Sequence, residues 1–309
     1  MKQFVGFDIG GTSIKYGLLD ESGQILAHGH FATAKDAATN VTKMVAVVKD
    51  YQKQTTIAGV GIDAPGIVTK DGYMITGGAI PGFYQFPLAQ KLKDALQLPV
   101  KVENDANAAA IAERWLGNAQ GIDDYICLVL GTGIGGGLVL NGDVYRGAHG
   151  MAGEIGWSIT HDLDLTDDLE SVSLNYAASV VTGLVRRYNL SLQALDHDAP
   201  EEKDAAQIIA LAHEHDEVAA PVYDRFLADV TVMLMNLIGT LDPERILVGG
   251  GISANATFMA DLQARFKEYV ARHKGLNGAQ KSFPYRIEAA GLQNNAGLIG
   301  AVYPLTRQL

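Results

Sequence analysis

Asn104 and Asp105 open an alanine-rich stretch in the run VENDANAAAIAE. A short carboxylate on the first turn of a helix is rigidly aimed. It could take the proton from a hydroxyl that attacks a phosphoryl group. Asp105 also suits an ordinary helix N-cap, and the two roles can coexist. The helix dipole favours the carboxylate form, so Asp105 is expected to be ionised at pH 7. Asn104 beside it could hydrogen-bond the hydroxyls of an acceptor.

Two glycine turns flank that pair in sequence. The first is Gly10-Gly11-Thr12 in FVGFDIGGTSIKYGLLD, and the second is Gly131-Thr132-Gly133 in YICLVLGTGIGGGLVLNG. Glycine lets backbone N–H groups approach phosphate oxygens with no Cβ in the way. Asp8, at the end of the first strand, could hold a hydrated Mg²⁺, which keeps several waters and needs few protein ligands. Thr12 could donate its hydroxyl to a phosphate oxygen. Lys15 is a candidate phosphate contact or a solvated lysine. Taken alone, the first turn could equally be a tight hairpin.

Gly131, Gly133 and Gly136 spell the dinucleotide-binding fingerprint, which requires a helix after the loop. A strand pattern follows instead, so that reading fails and a clamp on the β- and γ-phosphates fits better. Gly249-Gly250-Gly251 forms a third glycine loop, placed to wall an adenosine or an α-phosphate. Glu154 lies between two glycines in AGEIGW, an unusual setting for a surface carboxylate, and could accept bonds from vicinal hydroxyls. Trp157 could stack on a sugar face or fill a core. His149 and His161 lack metal-ligand spacing and read as structural or surface residues.

The bulk composition narrows the partners. The net charge of −11 disfavours non-specific nucleic-acid binding and attraction to anionic membranes. The single cysteine, Cys127, excludes an intrachain disulfide and reads as a buried small hydrophobe. No apolar run approaches the ~18 residues of a membrane span. A cytoplasmic setting is the default expectation.

These residues need elements to position them. Residues 2–30 alternate around glycine turns, as in an antiparallel meander. Helical patterns cover 36–54, 172–188, 201–216 and 219–241, the last stopped by Asp242-Pro243. The helix after Asp105 is expected to run to Gly117. Residues 125–140 read as strand, turn and strand. An amphipathic helix covers 256–273, and a terminal helix follows residue 294. The two strand-turn-strand starts form a weak internal repeat. The predicted boundaries are 1–117 plus 290–309 for a small α/β domain and 118–289 for a larger one.

Taken in order, DIGGTSIKYGLLD, GVGIDAPGIV, VENDANAAAIAE, LGTGIGGGLVLNG, GAHGMAGEIGW and ILVGGGIS resemble the ROK family of sugar kinases, within the actin, hexokinase and Hsp70 superfamily. The resemblance implies an α/β fold of two ribonuclease H-like domains around a central cleft, with the C-terminal helix returning to the first domain. It implies ATP, Mg²⁺ and phosphorylation of a hexose or hexose derivative at the 6-hydroxyl. Glucose, a β-glucoside and N-acetylmannosamine are the candidate substrates. By match of motif Asp105 then becomes the base, Asn104 and Glu154 the sugar ligands, and Gly10, Gly11, Thr12, Thr132, Gly133 and Gly250 the nucleotide ligands. Beside them, the residues themselves make Gly78 and Trp157 candidates to line the sugar, Lys15, Gly131 and Gly251 candidates to face the nucleotide, and Asp8 the candidate to hold Mg²⁺ through water. A homodimer is implied as well.

Many ROK proteins carry a histidine after Gly-Glu-Ile-Gly and then a cysteine-rich segment that holds zinc. Here Trp157 takes the histidine's place and no cysteine follows in 158–178, so no structural zinc is expected. The family's second sugar-binding glutamate has no counterpart near Tyr176; Glu170 is the nearest carboxylate. The competing reading is a sugar-binding ROK-type transcriptional regulator without catalysis. Such regulators carry an N-terminal helix-turn-helix, whereas here the first phosphate strand begins by residue 4.

Overall fold

The computed structural model describes residues 2–161, 163 and 168–307. The chain opens with the expected meander, β1 (Gln3–Ile9), β2 (Ser13–Asp20) and β3 (Ile25–Ala32), paired antiparallel, with one register shift between β2 and β3 at Leu18/Leu19. Helix α1 (Ala37–Gln52) follows, with Asp36 as its N-cap: the carboxylate accepts from the Thr39 N–H. Then come β4 (Ile57–Ala64), α2 (Leu88–Leu96), β5 (Val100–Asn104) and α3 (Asp105–Leu116). The Gly/Pro/aromatic stretch between β4 and α2 is irregular. It is tied by isolated bridges from Met74 to Val68 and Phe86 and by one 3₁₀ turn, Pro81–Phe83.

The second series begins with β6 (Tyr125–Leu130), β7 (Ile134–Leu140) and β8 (Asp143–Val144). Helices α4 (Leu174–Ala178), α5 (Arg186–Leu195), α6 (Ala205–His213) and α7 (Ala219–Leu241) lead to β9 (Arg245–Gly249). After it come α8 (Ala256–Arg272), α9 (Lys274–Ala279), β10 (Arg286–Ala289) and α10 (Ala296–Thr306).

The two sheets share one plan. The first has the order β3-β2-β1-β4-β5 and the second β8-β7-β6-β9-β10. In each, the first strand of the series sits centrally, two hairpin-linked strands lie to one side and two crossover strands to the other. The pairs β1–β4, β4–β5, β6–β9 and β9–β10 are parallel. The weak repeat in the sequence is therefore a duplicated topology.

The chain divides into two compact units, Met1–Asp123 with Gly137–Ala152 and Asn294–Leu309, and Asp124–Gly136 with Gly153–Gln293. The division falls within β7. In the first unit, β1, β4 and β5 bury a core of Val5, Phe7, Ile62, Met74, Phe83 and Leu92. Cys127 is buried in β6, as its strand setting predicts. No described helix is long and apolar enough to cross a membrane.

The helix expected over 172–188 is broken. A 3₁₀ turn (Leu169–Val172), α4, a π-helical turn (Val180–Val185) and α5 replace it. Ser173 and Ser179 take extended backbone angles at the breaks. Ser179 Oγ accepts from the Gly183 N–H, while the Val180 and Val181 N–H groups turn away to the Gly131 carbonyl, at 3.0 and 3.2 Å. Those bonds come from far along the chain, so helical periodicity could not show them.

Candidate active site

In the first unit, Asn104 is the N-cap of α3. Its Oδ1 accepts from the Ala106 and Asn107 N–H groups, at 3.0 and 3.2 Å. Its amide donates to the Gly66 carbonyl and to Asp105 Oδ1, both at 3.0 Å. Two donors and two acceptors fill the hydrogen-bonding capacity of an asparagine. The capping role expected of Asp105 thus falls to Asn104, and Asp105 takes the first helical position. Asp105 Oδ1 also accepts from Ala106 N–H at 2.8 Å.

The Asp105 side chain is open to solvent, yet the protein around it still desolvates the carboxyl. That desolvation pushes its pKa above the ordinary carboxylate value, and the Asp8 charge adds to the shift. The bonds from Ala106 and Asn104 act in the opposite direction. The dipole argument for an easily ionised Asp105 is therefore outweighed, and the carboxylate is a stronger base than a free one.

Gly66 and Gly78 build the wall next to this pair. Gly66 has φ +87°, and a Cβ there would sit 2.7 Å from the Thr76 carbonyl oxygen. Gly78 has φ +55° and lies against Pro65. The first glycine turn closes through Gly10 N–H to the Ser13 carbonyl at 3.1 Å, and Thr33 Oγ1 donates to the Gly10 carbonyl at 2.7 Å. Gly11 and Thr12 stay exposed at its tip. Asp8 pairs with Lys15 at 3.2 Å, so this lysine is tied to the carboxylate as well as to solvent.

Sequence inspection passed over two carboxylates beside Asp8. Strand register sets Asp8 against Asp63 and Asp63 against Glu103, a row across β1, β4 and β5. Adjacent strands lie ~4.8 Å apart. Each outer member has a cation. Lys15 meets Asp8, and Arg146 meets Glu103 through Nε at 3.1 Å and Nη2 at 2.5 Å. Asp63 in the middle is 4% exposed, and its Oδ1 has no hydrogen-bond partner among the described residues. Gly297, in the first turn of α10, closes over it: a Cβ there would sit 2.0 Å from Asp63 Oδ2.

Burial first, and then the Asp8 and Asp105 charges, raise the Asp63 pKa well above its ordinary 3.8. This raised value costs stability at neutral pH. Below about pH 4 both folded and unfolded chains hold the proton; above it the unfolded chain releases it first, until pH passes the raised folded value. Asp63→Asn is accordingly expected to raise the melting temperature at pH 7.5 by a few degrees and by nothing at pH 4. Each pH unit of separation is worth about 1.4 kcal/mol. Equal shifts at both pH values would show that Asp63 is not a buried acid.

Asp8 fits a water-mediated Mg²⁺. It offers hard oxygen donors, stays partly exposed and is compensated by a single lysine. Among the described residues no group of three His, Cys, Asp or Glu is placed to cage a metal directly. The expected zinc-free segment 158–178 includes 162 and 164–167, which lie outside the described residues.

In the second unit, the loop 131–134 is held from one segment. Gly131 N–H bonds the Gly133 carbonyl at 3.0 Å, and Thr182 Oγ1 donates to the Thr132 carbonyl at 2.7 Å. Gly250, at φ +85°, packs against the end of β6, where a Cβ would lie 2.0 Å from the Leu130 carbonyl oxygen. The second and third glycine loops therefore adjoin. At Gly131 and Gly251 a Cβ would meet nothing within 4 Å, so those backbones face open space.

Glu154 caps a 3₁₀ turn, Ile155–Trp157, and its carbonyl accepts from the Trp157 N–H at 3.1 Å. Trp157 is 51% exposed, which removes the core reading. With Ile159, Leu169, Glu170 and Ser173 it lines a recess of about 310 Å³. Glu170 and Trp157 thus share one pocket. His149 is exposed, and His161 pairs with buried Asp229 at 3.0 Å, a structural contact. Asn175, which sequence inspection missed, accepts from the Ile134 N–H at 2.8 Å.

Known proteins resemble this chain over nearly its whole length. The chain is 35% identical to a β-glucoside kinase of Listeria monocytogenes over 306 residues, covering 97% of this chain and 96% of that one. It is 33% identical to a glucokinase of Halalkalibacterium halodurans over 321 residues, covering 99% and 95%. A ROK family glucokinase from Streptomyces griseus, solved with glucose and AMPPNP, superposes with a TM-score of 0.79 at 30% identity, covering 99% of this chain and 100% of that one. Residues 4–308 match the ROK profile from end to end, and the chain belongs to the ROK family.

Proposed function

We propose that this protein is an ATP-dependent sugar kinase acting on the 6-hydroxyl of a hexose or hexose derivative. The observation that carries the reading is Asp105, held by Asn104 and the Ala106 N–H at the start of α3, with its basicity raised by its surroundings. In the transfer, the hydroxyl oxygen bonds to the γ-phosphorus, the bond to the β,γ-bridging oxygen breaks, and ADP leaves. The hydroxyl proton passes to Asp105. Asn104 orients that carboxylate, and a sugar hydroxyl would share Asn104 with its present partners. Glu154 takes ring hydroxyls, and Gly78 walls the acceptor side. Gly10, Gly11, Thr12, Lys15, Gly131, Thr132, Gly133, Gly250 and Gly251 bind the nucleotide. Mg²⁺, when bound with the nucleotide, neutralises phosphate charge, and Asp8 holds its water shell. The same reading makes the protein a cytoplasmic homodimer, in line with the family resemblance and the single buried cysteine.

The relatives named for β-glucosides and glucose support a glucose-type ring. The exposed Trp157 and its recess favour a substituent on that ring. An indole offers a stacking face and one donor, whereas an imidazole can both donate and accept. An aryl or alkyl aglycone, or a second sugar ring, would pack there.

A coupled ADP-release assay tests both statements across glucose, aryl β-glucosides, cellobiose-type disaccharides, N-acetylmannosamine, mannose and fructose. ADP release that depends on one of these sugars is expected, and none with any of them would end the kinase reading. kcat/KM for an aryl β-glucoside should equal or exceed that for glucose. Trp157→Ala should cut the glycoside value about tenfold, the equivalent of ~1.4 kcal/mol of apolar contact, and spare glucose. Strong activity on free glucose with none on any glycoside would return the protein to the plain glucokinase class.

A further inference from the structure

Asn175 touches both halves of the site in the second unit. It sits in the first turn of α4, and its Oδ1 accepts from the Ile134 N–H at 2.8 Å, where the 131–134 loop enters β7. The same oxygen presses on the Glu154 element: a Cβ at Gly156 would lie 2.0 Å from Asn175 Oδ1. At Gly133 a Cβ would lie 3.2 Å from that oxygen. One amide therefore fits between Gly133-Ile134 and Gly156, and the space exists because two of those three residues are glycines.

The flanking bonds make this contact a linkage. Ser158, just past the Glu154 turn, accepts the Leu174 N–H at 2.8 Å and so anchors the start of α4. Beyond Asn175, its carbonyl accepts from Ser179 Oγ at 2.5 Å. The next residues grip the loop through Val180 and Val181 N–H to the Gly131 carbonyl and through Thr182 to the Thr132 carbonyl. A shift of the 154–158 element moves the start of α4, and α4 carries the acceptor that fixes Ile134.

We propose that Asn175 is a positioning residue that couples occupancy of the Glu154–Trp157 element to the order of the 131–134 loop. This rests on the kinase reading, with Glu154 on the sugar and Thr132 on the nucleotide. Sugar binding then prepares the phosphate loop, and linkage requires MgATP to tighten sugar binding by the same factor. A contiguous chain of hydrogen bonds carries the effect.

Three measurements on the full chain test it. In the wild-type protein without nucleotide, a saturating sugar found by the ADP-release screen should slow hydrogen exchange in the peptide spanning 131–138. That sugar should also tighten MgAMPPNP binding several-fold. In Asn175→Ala the tightening should fall to about one, and KM for ATP should rise about fivefold or more, the scale of one lost acceptor for a backbone N–H. Asn175→Asp keeps an oxygen for the Ile134 N–H and should recover most of the coupling, a rescue that a purely packing role would not give. An unchanged sugar-dependent tightening in Asn175→Ala overturns the proposal. So does exchange in 131–138 that ignores sugar in the wild type, a result that stands even where the alanine variant does not fold. ADP release in the same preparation separates this failure from failure of the kinase reading: turnover without coupling defeats only Asn175, and no turnover with any sugar defeats both.

Discussion

Asp105→Asn should lower kcat by at least about 100-fold while leaving the melting temperature close to that of the wild type. General-base contributions typically span about 10²–10⁴-fold. The fold should survive because the cap of α3 belongs to Asn104, whose Oδ1 serves the Ala106 and Asn107 N–H groups independently of Asp105. An amide at 105 keeps an oxygen for the Ala106 N–H and cannot accept the substrate proton. The pH profile gives a second readout. Desolvation and the Asp8 charge raise the Asp105 pKa, so the acid limb of kcat/KM should fall off at a higher pH than an ordinary aspartate near 3.8 would give. It should vanish in the variant's residual activity. Near-normal kcat in Asp105→Asn, or an acid limb that persists unchanged in it, would remove Asp105 from the chemistry.

The carboxylate row explains why Asp105 is tuned this way. Asp8 repels both Asp63 and Asp105, and it appears among the causes of both raised values. Three acids in one neighbourhood cannot all ionise cheaply. The buried one, Asp63, takes the largest penalty, and the exposed one stays available as a base. Lys15 and Arg146 compensate only the outer members of the row.

What the sequence revealed is what is local. The glycine turns, the Asn104-Asp105 pair and the Glu154 element are contiguous motifs, and α7 ends at Leu241 with Asp242 in the left-handed region, just before Pro243. Gly117 does end α3, but at φ −106° and not in the left-handed cap geometry. Its lack of a side chain matters for another reason: a Cβ there would lie 2.2 Å from Glu113 Oε2, which accepts from the Asn118 N–H at 2.8 Å. The residues that escaped notice act through partners distant in sequence. Asp63 gains its character from strands β1 and β5 and from Gly297, and Asn175 from Ile134, 41 positions away. An aspartate inside the apolar strand GVGIDA was the one available hint of the first. Nothing local marks the second. Strand β10, four residues long, is too short for a periodicity to register, and it exists because β9 offers it a parallel edge.

The largest stability effect is expected at Gly300, in the middle of α10. A Cβ there would lie 1.8 Å from the Ala108 carbonyl oxygen and 2.5 Å from its carbon, so the backbones of α10 and α3 are in direct contact. On the other side, a Cβ at Gly61 in β4 would lie 2.2 Å from the Ala301 carbonyl oxygen. Helix α10 is thus wedged between a strand and a helix, and at these two points backbone meets backbone. Backbone cannot step aside as a flexible side chain can, so Gly300→Val must push α3 away from α10. Overpacking of this kind costs about 3 kcal/mol or more, which for a chain of this size lowers the melting temperature by roughly 6–12 °C. Because Asp105 is the first residue of α3, the variant should also lose activity beyond its loss of folded protein. Gly239 supplies the control. It lies on the exposed side of α7, where a Cβ meets nothing within 4 Å, and Gly239→Ala should gain about 0.5–1 kcal/mol from helix propensity alone. A Gly300→Val protein that melts with the wild type would mean that α3 and α10 do not meet backbone to backbone.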